Sequence, residues 1–207
     1  MEDTIRRFSP LAGIAFVLMI PIGFAIEGGT PATDDPAAEI QQFYLDNDAK
    51  VIVGAFFIMM AAVALLVFGA ALRDRIADAG ARLLASVAFG GTIFGASAIA
   101  ADSALRFSLA ESADKLDAAS LHSIFALFNT FFYPIHAGVA VFVAATSLAA
   151  LDSKMLPTWL SGIGVLAAVL LLVPVAAVTL TGLLIGMVWV LITSILLFRR
   201  GAPSVAD

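Results

Sequence analysis

Apolar residues run along this chain in long, nearly unbroken stretches, with polar residues collected between them. Six stretches read as membrane spans: about 10–26, 51–72, 83–101, 121–151, 156–173 and 177–198. A helix needs about 20 mostly apolar residues to cross the hydrocarbon core. In lipid the backbone must satisfy its own hydrogen bonds, so only helices and closed barrels span it. The stretches lack the two-residue alternation of barrel strands. The pattern therefore predicts an all-α integral membrane protein, a six-transmembrane-helix bundle forming a single domain over 1–207.

The connections are short. The largest, Glu27–Lys50, opens on the breaker Gly28-Gly29-Thr30-Pro31. Asp35-Pro36 reads as an N-cap followed by a first-turn proline. Ile40, Phe43 and Tyr44 then fall at i, i+3, i+4, which predicts a short amphipathic helix over about 36–45 on the membrane surface. The connection Ala104–Ser120 has a weaker version of the same pattern, and no soluble domain is expected. The uncharged join Val173-Pro174-Val175-Ala176-Ala177 predicts either a tight turn at the interface or a hairpin that stops short of it.

Charge orients the bundle. Arg6, Arg7, Arg73, Arg75, Arg82, Lys154, Arg199 and Arg200 share one side, against Lys50, Arg106 and Lys115 on the other. The positive-inside rule then puts both termini in the cytoplasm, N-in/C-in, and an even number of spans agrees. Arg6-Arg7 before a short apolar run also resembles a signal peptide, with Gly23-Phe24-Ala25 as a passable cleavage site. We read the segment as a true span. Acidic residues divide the other way, six inside and ten outside.

Composition agrees with the pattern and removes alternatives. Hydrophobic residues make up 61% of the chain and charged residues 13%, and mean hydropathy is +1.03. A soluble fold of this size has too much surface to hide so much apolar area. The chain has no cysteine, so disulfides, thiolate metal sites and Cys nucleophiles are excluded. Its 11 basic residues are not clustered, so no nucleic-acid partner is expected.

Within the spans, Gly91-x-x-x-Gly95 and Gly182-x-x-x-Gly186 have the spacing that lets helices pack closely, with Gly90, Ser97 and Ala101 near the first pair. The pairs suit packing inside the chain or between copies. Pro21, Pro134 and Pro174 fall in or at the ends of spans, and Pro134 frees the carbonyl of Thr130. Span four, at 31 residues, would rise about 46 Å and must tilt, bend at Pro134 or project into water.

The same span carries the chemistry. His122, Asn129 and His136 recur every seven residues on one face, with Tyr133 beside them. Position puts His136 near mid-bilayer and His122 near the outer surface. Asp102 ends span three at the depth of His122, and Glu27 ends span one on the same side. Three readings are open: a proton or solute path, a pair of haem ligands that would need partners from another chain, and a polar lock between helices. Asp102 and Arg106, four apart, suit a helical-turn ion pair. No catalytic set, metal-binding motif or cofactor motif is present, so no enzyme, metal or cofactor is expected.

Three stretches carry a family resemblance: Pro10-Leu11-Ala12-Gly13-Ile14; Phe43-Tyr44-Leu45-Asp46-Asn47 with Val51-Ile52-Val53-Gly54-Ala55; and Leu156-Pro157-Thr158-Trp159-Leu160-Ser161-Gly162-Ile163-Gly164. With the six-span layout they resemble small membrane proteins frequent in actinobacteria and classed as a domain of unknown function. The resemblance implies a bacterial plasma-membrane location and supplies no functional residues. The function read at this level is a non-enzymatic accessory or interaction subunit in the lipid bilayer, in a homo-oligomer or larger complex. The alternative is a small proton- or solute-translocating transporter or channel built on the span-four residues.

Overall fold

A computed structural model describes residues 7–200. Arg6, used above for orientation, lies outside them. The described residues form helices α1 (Leu11–Glu27), α2 (Ala37–Asp78), α3 (Arg82–Ser112), α4 (Ala118–Thr130), α5 (Phe132–Ser153), α6 (Thr158–Leu171) and α7 (Ala176–Arg200). The helices α1, α2, α3, α5, α6 and α7 pack in chain order, and α1 meets α7 to close the ring. The short α4 lies across α2 and α3 at one end.

Four helical segments are long and apolar enough to cross a membrane: α2, α3, α4 joined to α5, and α7. The other two, α1 and α6, have 17 and 14 residues. They rise about 26 and 21 Å, less than a ~30 Å core. Where six full-length spans were expected, the described residues hold four long apolar segments and two shorter apolar helices.

Several boundaries differ from those read in the sequence, each for a local reason. The surface helix expected over 36–45 is the first part of α2, set off only by a kink at Asn47. Asp35 does not cap it: Pro36 holds that position, and the Asp35 carboxylate accepts from the Ala32 N–H at 2.8 Å. The connection after Ala104 is helical as far as Ser112. Span four breaks at Phe131, three residues before Pro134. The proline ring clashes with the Thr130 carbonyl and cannot donate to it, so the chain turns one step earlier. Asp117 caps α4, accepting from the Ser120 N–H at 3.0 Å and the Ser120 hydroxyl at 2.7 Å. These bonds hold its carboxyl below the usual carboxylate range.

Because α2 and α3 overshoot the spans and α4 folds onto them, this end has a small core of its own. Ile40, Tyr44, Leu109, Leu121 and Phe125 are fully buried there. Gln41 fastens it, donating to the carbonyls of Ala113 at 2.7 Å and Leu116 at 2.8 Å. We call this the cap end. The larger core fills the ring toward the opposite, basic end, around a T-shaped chain of buried rings from Phe68 to Phe142 (6.0 Å) to Trp189 (6.1 Å).

Close approaches are made at glycines. A side chain at Gly91 would strike the backbone of Phe142 and Gly138, and one at Gly138 would strike the backbone of Gly95. Gly182 lies against Leu170 and Leu171 of α6, with Gly186 next to Leu171. Gly90 and Ser97, expected on the Gly91 side, are exposed on the other face of α3.

The α6–α7 join is an apolar turn, Leu172-Val173-Pro174-Val175. The Thr179 hydroxyl reaches back to the carbonyls of Val173 (2.6 Å) and Val175 (3.1 Å). Both carbonyls also accept from the backbone, Val173 from the Val175 N–H at 2.8 Å and Val175 from the Val178 and Thr179 N–H groups at 2.9 Å, so the hydroxyl is an added donor that ties the turn to α7.

Two outcomes follow for stability in detergent, read by thermal unfolding. Gly138→Ala should destabilise by about 1–3 kcal/mol through overpacking, whereas Gly162→Ala, with open space at that position, should not. Thr179→Val should cost about 1 kcal/mol through loss of the hydroxyl's bond across the turn. Thr181→Val is the control, since that exposed hydroxyl bonds only within its own helix.

Candidate functional site

The site lies at the cap end of the ring. Among the described residues, the buried charged side chains are Glu27, Asp102 and Arg106. Asp102 and Arg106 sit one turn apart on α3, and the Arg106 Nε–H donates to Asp102 Oδ2 at 2.9 Å. The Arg106 Nη1 donates to Glu27 Oε2 at the end of α1. The guanidinium also lies over two rings, Phe24 at 5.0 Å and Phe128 at 4.5 Å. One cation therefore holds two carboxylates and two aromatic faces, which suits arginine's planar fork better than lysine's point charge.

Backbone geometry puts Glu27 there. A side chain at Gly23 would strike the Gly54 carbonyl and Ile58. One at Gly54 would strike the Gly23 carbonyl and crowd Glu27. This glycine pair lets α1 lie directly on α2, so the last residue of α1 enters the bundle. Gly28, at φ +81°, then turns the chain out of the helix.

Beside the ion cluster is a cavity of about 450 Å³, within the usual range for small-molecule sites. Its walls are mostly apolar, with Phe16 and Ile20 from α1, Ile58 from α2, Ile99 from α3, and Leu183 and Met187 from α7. Its polar lining residues are Thr30, Asp102, Arg106, Asn129, His136 and Thr179. Asn129 spends its amide N–H on the Phe125 carbonyl at 2.9 Å. His136 is 8% exposed, and its Nδ1 has no partner. Phe24 and Leu180 also line the cavity and are 48% and 56% exposed. They mark a mouth on the outside of the ring, between α1 and α7.

The residues expected to form one stripe are divided. Asn129 and His136 meet in the cavity with Asp102. Tyr133 does not join them: it is 54% exposed and stacked on Phe132 at 4.5 Å. His122 lies farther along α4, where its Nε2 donates to the Thr33 carbonyl at 2.9 Å. Asn129 and His136 thus share the cavity across the break at Phe131, whereas His122, two turns earlier on the same α4, lies beyond the cavity. The depth expected for His136 is also revised. It lies eighteen residues from Lys154 at the basic end, about 27 Å of helix rise. That places it at the level of Asp102 rather than midway through the bundle.

Sequence reasoning left Arg106 and Glu27 at the margin, although Arg106 is the hub. The i, i+4 spacing and the matched depth of the two acids were the available signals. Gly23 and Gly54 gave none, because they belong to different helices and fit no single-helix motif.

No family model matches the chain, and neither a curated protein nor a solved structure matches it. The arrangement itself is that of an apolar helical bundle compatible with a membrane protein, enclosing a cavity with one polar end.

Removing the hub should be costly. Arg106→Met leaves two carboxylates buried without a counter-charge and should destabilise the protein by about 3–5 kcal/mol. Replacing the set together (Glu27→Gln, Asp102→Asn, Arg106→Met) should recover most of that loss in the same unfolding measurement. Wild-type stability in the single variant would contradict a buried cluster.

Proposed function

We propose that this chain is a multi-pass plasma-membrane protein, with both termini cytoplasmic, that binds an amphipathic small molecule and acts as a small transporter for it. The observation that supports this reading is the cavity with Asp102, Asn129 and His136 at one end, apolar walls along the rest, and a mouth at Phe24 and Leu180. An apolar body suits the walls, and one polar group suits the far end. The mouth opens on the lipid-facing side of the ring, where a molecule dissolved in the bilayer has direct access.

The accessory-subunit reading rests on apolar outer faces, and lipid covers such faces equally well. The cavity is the more specific feature, so it decides the choice. The cap end faces outward in this reading, because Arg73, Arg75, Arg82, Lys154, Arg199 and Arg200 lie at the opposite end.

Native mass spectrometry of protein gently extracted from its own membrane tests the reading. The expected result is a small molecule held by the wild type and lost from Leu183→Trp, which fills the cavity from α7. Adducts that are the same in both proteins would overturn it.

A further inference from the structure

The charge at the polar end narrows the class of ligand. Glu27 and Asp102 bring two carboxylates to the single guanidinium of Arg106. With both acids ionised, the buried set carries one net negative charge. In a low-dielectric site an uncompensated charge acts strongly on whatever enters. An anion would add a second uncompensated charge, and Arg106 has no spare counter-charge to offer it. A cation restores neutrality.

Two further features point the same way. His136 lines the cavity, and its Nδ1 is buried without a hydrogen-bond partner. In the Nε2–H tautomer it accepts a hydrogen bond, which an ammonium N–H provides and a carboxylate does not. One N–H of the Asn129 amide is taken by a carbonyl, and its Oδ1 is a second acceptor. Phe128 and Phe132 add aromatic surface around the same end, and ring faces attract cations.

We propose that the cavity takes a lipophilic amine: an apolar, often aromatic body of small-molecule size carrying one ammonium group, seated between Asp102, Asn129 and His136. This rests on the solute-binding reading above and specifies its ligand class.

The test uses the full chain in lipid nanodiscs and three probes with one shared body: 4-phenylbutylammonium, 4-phenylbutanol and 4-phenylbutyrate. Empty nanodiscs are subtracted to remove partition into lipid. The ammonium should bind about tenfold more tightly than the alcohol, the worth of one charged hydrogen bond, and the carboxylate should show no saturable binding. Asp102→Asn should remove most of the ammonium's advantage and leave alcohol binding nearly unchanged. Because Asp102 also holds Arg106, a second variant guards against misfolding. His136→Phe keeps the ring and removes the acceptor. It should weaken the primary ammonium about tenfold but leave the N,N,N-trimethyl analogue, which has no N–H to donate, nearly unaffected. Equal binding of the three probes, tighter binding of the carboxylate, or an unchanged primary ammonium in His136→Phe would overturn the ligand class while leaving the cavity reading intact. Probe binding that Leu183→Trp leaves unaltered would bring down the cavity reading itself.

Discussion

Arg106 stands where three constraints meet. Its guanidinium is buried, so its charge must be met, and the groups that meet it come from both ends of a sequence interval of 79 residues. Glu27 arrives on α1 and Asp102 on α3 itself, while Phe24 and Phe128 enclose the guanidinium faces. A buried cluster of this kind gains little net stability over an apolar packing of the same volume. Its effect is on registration: α1 cannot slide along α2 without stranding a charge, and α4 cannot lift off α3 without baring the guanidinium face that Phe128 covers. The polar end of the cavity exists because this cluster is held in place.

The rest of the bundle supplies the thickness and the opening. Glycines let α3 meet α5, and α1 meet α2, at backbone distance. Two helices, α1 and α6, are shorter than the long apolar segments, at 17 and 14 residues. Where α6 stops, an apolar turn leads into α7, and the Thr179 hydroxyl adds a bond to two of the turn's carbonyls. Beside the ion cluster, Phe24 of α1 and Leu180 of α7 mark the mouth of the cavity.

Periodicity made the helical class and the placing of the apolar segments legible, because six long runs leave few alternatives in lipid. Local punctuation was legible in part. Pro134 announced a break, but its position at Phe131 depends on which carbonyl the ring displaces. The surface helix over 36–45 was visible from Ile40, Phe43 and Tyr44, whereas its fusion to α2 was not, because Asn47 kinks the helix without ending it. The candidate site was half legible. Asn129, His136 and Asp102 meet in the cavity, and Tyr133 and His122 do not, since spacing along a helix does not say how far the cavity reaches: His122 lies two turns beyond it and Tyr133 is turned outward. Arg106 was undervalued because its partners are set by tertiary contacts. Single-helix spacing reveals the Asp102 pair and is silent about Glu27, whose approach depends on the Gly23–Gly54 contact between two different helices.

A cryo-EM map of the full chain in nanodiscs of its native lipids puts the central claim to the most direct test. The account predicts Arg106 enclosed between Glu27 and Asp102, with separate density in the cavity reaching from the mouth at Leu180 to His136. An Arg106 side chain turned out to the lipid headgroups, or a cavity closed by inward movement of α7 onto α5, would contradict it.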